Sequence, residues 1–125
     1  ETIRSASVRG WESHCLKEMK NMNDHALTPG AVSRIRGIHG LSKTYNQKVG
    51  YDHSRRLLDL MAHHAGEIQD LWEEGNRHFL VETGDLIVLC LELLLEYEMS
   101  MDDILRTCFD RYEKKLTQLL ADAEP

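Results

Sequence analysis

The sequence predicts an all-α protein, an antiparallel helical bundle of four to five helices. Three observations lead there. Only two prolines and eight glycines interrupt 125 residues, which leaves room for long helices. Aromatic residues make up 6% of the chain while Leu, Glu, Met and Ala are plentiful, a balance that favours helix over sheet. Apolar side chains recur every three or four residues in runs separated by short polar breaks. One domain spanning 1–125 is expected, long enough to bury a core without disulfides or structural metal.

The first helix is expected from about Val8 to Met22, where Val8, Trp11, Cys15, Met19 and Met22 make an apolar stripe. Residues 23–29 read as a connection. Thr28-Pro29 can open a helix, since proline suits the first turn. Gly30, Gly37 and Gly40 weaken any helix between Ala31 and Leu41, so one is expected only from about Leu41 to Lys48, with Gly50 breaking it. Asp52 is a suitable N-cap for the next helix, about His53 to Glu74, and Gly75-Asn76 a C-terminal stop. Leu57, Leu58, Met61, Ala65, Ile68 and Trp72 are its expected buried face. A further helix runs from about Arg77 to Glu98. Ser100 with Asp103 resembles a capping box for the last, about Met101 to Leu120, whose expected buried stripe is Ile104, Leu105, Cys108, Tyr112, Leu116 and Leu119. Short connections between long amphipathic helices make neighbours antiparallel.

The formal charge of −6 argues against a general nucleic-acid binder, whose affinity comes from neutralising phosphates. Basic residues nevertheless gather from Arg34 to Arg56 (Arg34, Arg36, Lys43, Lys48, Arg55, Arg56) against one acid, Asp52. They form either a solvated face or an anion site for a phosphorylated small molecule. Cys15, Cys90 and Cys108 are odd in number and far apart, as expected of reduced thiols in a cytoplasmic protein. No signal-peptide pattern opens the chain. Glu1, where a Met would start a chain, leads us to expect further residues before it. The apolar run from Phe79 to Tyr97 has the length of a membrane span but carries Glu82, Asp85, Glu92 and Glu96, each costly in lipid, so a core helix is expected.

Those acids carry the chemistry. His64 and Glu67 are three residues apart on one helix and share a face; Glu82 and Asp85 repeat the spacing on the next, and Glu92 and Glu96 continue the row. The row is either solvent-facing or turned into the bundle. Turned inward, several carboxylates repel one another unless a cation joins them, and carboxylates from facing helices are an established way to hold metal inside a bundle.

The run His64-Ala-Gly-Glu67-Ile-Gln-Asp-Leu, then Glu73-Glu-Gly-Asn-Arg, then Val81-Glu-Thr-Gly-Asp-Leu-Ile-Val, resembles the core of MazG-like nucleotide pyrophosphohydrolases, whose pattern is ExxE, a spacer, then ExxD. Asp110-Arg-Tyr-Glu-Lys-Lys-Leu is similar to the ending of the same family. The resemblance covers about residues 53 to 118. It implies an all-α protomer in a homodimer or homotetramer built on a dimer core. It also implies Mg²⁺-dependent cleavage of a nucleoside triphosphate between its α and β phosphates. Carried over, Glu67, Glu82 and Asp85 fall on catalytic and metal-ligand carboxylates, with His64 as a fourth candidate ligand. Arg111, Lys114 and Lys115 fall on basic positions suited to phosphate. No membrane and no stable nucleic-acid partner is implied.

Two departures stand out. His64 occupies the place of the first Glu of ExxE, and Cys108 and Phe109 stand where an Asn is common. Mg²⁺ prefers oxygen ligands, so the imidazole widens the expected ion to Mn²⁺ or another softer divalent metal. An alternative registration pairs Glu67 with Asp70. The alternative to an enzyme is a catalytically silent helical module of the same kind that binds a nucleotide or a partner. A purely structural module with its acids in solvent is a third. No Gly-rich phosphate loop and no adjacent His-Asp pair of HD-type phosphohydrolases is present.

Overall fold

A computed structural model of the chain describes residues 25–123, which form four helices and no strand. These are α1 (Pro29–Val49), α2 (His53–Glu73), α3 (Phe79–Glu96) and α4 (Met101–Ala123). The helix expected at Val8 to Met22 lies outside the described residues. Contacts divide the chain into two compact units, one of residues 29–101 and one that holds residues 25–28 and 102–123.

In the first unit α1, α2 and α3 pack on one another, with α2 against α3 as the main interface. His53 faces Glu96 and His64 bonds Glu82, so α2 and α3 run antiparallel. Leu57, wholly buried, sits at the centre, with Ile35, Leu91 and Met101 the other buried apolar residues described.

α1 corrects the sequence reading. It starts at Pro29, well before Leu41. A Cβ at Gly30, Gly37 or Gly40 would meet nothing, so these glycines cost helix propensity, about 1 kcal/mol each, and are not breaks in packing. Packing of Ile35, His39 and Asn46 on the inner side offsets that cost. Polar residues on the buried side hide the helix from an apolar-periodicity argument.

Asp52 caps α2 as expected, its carboxylate accepting from Arg55 N–H at 2.8 Å. The buried row of α2 is turned relative to the expected one. His53 and Leu57 are buried, and Leu60, His64, Glu67 and Leu71 follow at half-buried positions. Leu58, Ala65 and Trp72 point outward, Trp72 with 66% exposure, and are not core. The row 53-57-60-64-67-71 is the narrow seam of antiparallel packing, which takes His and Glu inside because α3 presents partners for them.

All three helices of this unit end alike. Tyr51, Asn76 and Met99 donate back to Asn46, Leu71 and Leu94 carbonyls, and the residue before each, Gly50, Gly75 and Glu98, has positive φ. Two of these are glycine, which takes that conformation freely; Glu98, at φ 57°, does not.

In the second unit, Asp102 and Asp103 stand in the first turn of α4, where the helix dipole favours anions. Asp102 accepts from the backbone N–H groups of Ala26 and Leu27 and from Arg106. Burial pushes its carboxyl up, but Arg106 and the two backbone donors outweigh that and hold it below the ordinary value. The expected α4 stripe is not buried. Ile104, Leu105 and Cys108 are half-buried, while Tyr112, Leu116 and Leu119 are each more than half exposed.

Candidate functional site

The i, i+3 spacing on α2 and on α3 brings their polar residues face to face where the two helices pack. His64 Nδ1 hydrogen-bonds Glu82 Oε2. His64, Glu82 and Asp85 each offer a ligand atom within 4.8 Å of the others, close enough for one ion to join them. Glu67 stands beside this group. Its Oε1 lies 3.0 Å from His63 Nε2.

Burial is graded across the group. Glu82 is buried, His64 and Glu67 half-buried and Asp85 exposed. The His64 hydrogen bond is the main influence holding the Glu82 carboxyl below its ordinary value. Burial opposes it, and the nearby charges of His64 and His78 help it. His78 Nε2 lies 3.4 Å from the other Glu82 oxygen. Glu82 therefore stays ionised between two imidazoles, with Asp85 open to solvent next to it. Oxygen donors from Glu82, Asp85 and Glu67 suit a hard divalent cation, and His64 adds a nitrogen that suits a softer one.

The structure thus brings His64, Glu82 and Asp85 together and sets Glu67 alongside. Arg111, Lys114 and Lys115 lie in the other compact unit, exposed on α4, where Lys115 sits over the Tyr112 ring at 5.9 Å. The basic run from Arg34 to Arg56 is not one patch. Lys43 pairs with Glu96 at 3.1 Å, and Arg56 lies over the Tyr51 ring at 5.0 Å. Cys90 and Cys108 are free and half-buried, and burial pushes the Cys90 thiol up, away from reactivity. Cys15 lies outside the described residues.

Of the two readings of the acidic row, three of its four members follow the inward one. Glu92 is 3% exposed and Glu96 half-buried. They meet two histidines that sequence reasoning does not connect with them, His39 from α1 and His53 from the start of α2. No local spacing links positions on three separate helices; the only signal is the presence of two histidines, His39 and His53, within the run from Arg34 to Arg56.

No helix among the described residues is long and apolar enough to cross a membrane. No protein-family model, no curated protein and no solved structure matches the chain.

Proposed function

We propose that the protein is a metal-dependent nucleoside triphosphate pyrophosphohydrolase of MazG-like type. Water adds to phosphorus, the bridging bond between the α and β phosphates breaks, and a nucleoside monophosphate and pyrophosphate leave. The observation that carries this reading is the convergence of His64, Glu82 and Asp85 at a half-buried junction of two helices, with Glu67 one helical turn from His64 on α2. The order ExxD after a histidine-led HxxE, on consecutive helices, adds to it.

Glu67, Glu82 and Asp85 would hold the divalent ion, Mg²⁺ or Mn²⁺, which neutralises phosphate charge as it develops. His64 keeps Glu82 ionised and oriented. A carboxylate, or a second ion, would activate the attacking water. Basic residues from Lys43 to Arg56 are one set of candidates to neutralise the remaining phosphates, and Arg111, Lys114 and Lys115 are the alternative that the resemblance implies.

The protein works as a homodimer or homotetramer in this reading. Among the described residues, seventeen large apolar side chains are exposed and four are buried. Leu58, Ala65 and Trp72 form one uncovered row on α2, and Leu80, Gly84 and Ile87 another on α3.

A panel of nucleoside triphosphates, assayed for pyrophosphate with Mg²⁺ and with Mn²⁺, tests the proposal. At least one should be hydrolysed, and Glu82→Ala and Asp85→Ala should each lower turnover by about 10²–10³-fold. Unchanged turnover in both variants rejects the site. One observation favours a second reading, a silent nucleotide-binding module: the His64 hydrogen bond occupies a Glu82 oxygen that an ion needs. Calorimetric titration showing tight nucleotide binding without turnover selects it.

A further inference from the structure

About 15 Å along α3 from Glu82, at a rise of 1.5 Å per residue, Glu92 begins a separate cluster. His39 of α1 and His53 of α2 close on it, and their ligand atoms and that of Glu92 lie within 4.8 Å of one another. His39 Nδ1 is 3.4 Å from Glu92 Oε1, and His39 Nε2 is 3.1 Å from Glu96 Oε2. His53 Nε2 is 3.7 Å from the same Glu96 oxygen.

Four of these atoms, His39 Nδ1, His53 Nε2, Glu92 Oε1 and Glu96 Oε2, are buried and have no hydrogen-bond partner among the described residues. Glu92 and His53 have side chains 5% and 7% exposed. Buried polar atoms are almost always partnered, and leaving one unpaired costs about 1–3 kcal/mol. Three of these atoms belong to His39, His53 and Glu92, whose ligand atoms lie within 4.8 Å of one another, two of them on imidazoles, and this marks a position for a cation.

We propose that His39 Nδ1, His53 Nε2 and Glu92 Oε1 form a metal site for a first-row divalent transition ion such as Zn²⁺, distinct from the acidic group at Glu82. Bonds of about 2.1 Å in tetrahedral array put ligand atoms roughly 3.4 Å apart, the separation of His39 Nδ1 and Glu92 Oε1. Two imidazoles with one carboxylate select such an ion over Mg²⁺ or Ca²⁺.

The surrounding residues form the layer that orients ligands in such sites. Glu96 Oε2 lies 3.1 Å from His39 Nε2, a position from which it can orient the ring with Nδ1 towards the ion. Lys43 Nζ holds the other Glu96 oxygen at 3.1 Å. Asn46 Nδ2 lies 2.8 Å from His53 Nδ1; metal binding through His53 Nε2 calls for the Asn46 amide to turn over, so that its oxygen accepts from a protonated Nδ1. An open cleft lined by Arg36, His39, Leu95 and Glu98 reaches the edge of His39 and gives the ion a route in. Since the ligands come from α1, α2 and α3, the ion ties the three helices together.

The experiment uses the full chain with Glu82→Ala and Asp85→Ala, which disable the other group, freed of metal by chelation. Titration with Co²⁺, followed by its visible absorption, should show one ion per chain. Adding Glu92→Gln should weaken binding by at least about a hundredfold. Zinc-edge X-ray absorption of the Zn²⁺-loaded double variant should show two imidazole ligands, and Zn²⁺ should raise its melting temperature. No Co²⁺ binding in the double variant overturns the site, as does unchanged affinity with Glu92→Gln. A zinc spectrum without imidazole overturns it too, and decides the matter by itself if the Glu92 variant does not fold.

Discussion

His64 stands where the resemblance calls for a glutamate, and its imidazole is bonded to Glu82. If it sits in the ligand position, His64→Glu adds an oxygen donor and should raise Mg²⁺-dependent pyrophosphate release; no change in rate would move residue 64 outside the metal's ligand set. Leu57, wholly buried, should lose about 2–5 kcal/mol of stability as Leu57→Ala, read by chemical denaturation; a loss below about 1 kcal/mol would contradict its central place. Asp102 gives a pH prediction. Its folded pKa is depressed, so its stabilising contribution is present above the ordinary aspartate value of 3.8 and is lost as pH falls through the lower folded value. Acid titration followed at the Ala26 and Leu27 amide resonances should show a midpoint below 3.8, and a midpoint above it would contradict the hydrogen bonds. At this scale the sequence is legible where spacing is local. Glu82 with Asp85, and His64 with Glu67, are neighbours on a helix by periodicity alone. His39 and His53 are not legible, because only the packing of three helices brings them to Glu92.

The helix ends show which local signals carry over into the fold. Asp52 and Gly75 announce a start and a stop through side-chain and backbone chemistry that needs no tertiary partner. Glu98 fills the same left-handed position as Gly50 and Gly75 without a glycine's freedom. Glu98→Gly should therefore stabilise the fold by about 0.5–1 kcal/mol, a rise in melting temperature; a fall would show that the glutamate side chain contributes more than its backbone strain costs. Helix faces are less legible than helix ends. An apolar criterion places Leu58, Ala65 and Trp72 inside α2, because it cannot choose a seam that contains His53, His64 and Glu67. The early part of α1 escapes for a related reason: its glycines look like breaks, yet they face open space.

At the scale of the molecule, large apolar side chains among the described residues are more often exposed than buried, and the proposed homodimer or homotetramer would cover some of them. Light scattering on a sizing column should give a dimer or tetramer, and Ile87→Glu should shift it toward monomer; a monomeric wild-type protein would contradict the proposed assembly. The all-helical class is legible from composition and periodicity because both report on backbone preference throughout the chain. Which faces stay uncovered is not, since an apolar stripe looks the same whether it meets its own chain or another. The proposed activity rests on one cation at the junction of α2 and α3. Crystals grown with Mn²⁺ and measured at the manganese edge test this directly. A bound ion should give an anomalous peak about 2.0–2.5 Å from the carboxylate oxygens of Glu82 and Asp85. Well-ordered Glu82 and Asp85 side chains with no peak between them, and the His64 hydrogen bond intact, would contradict it.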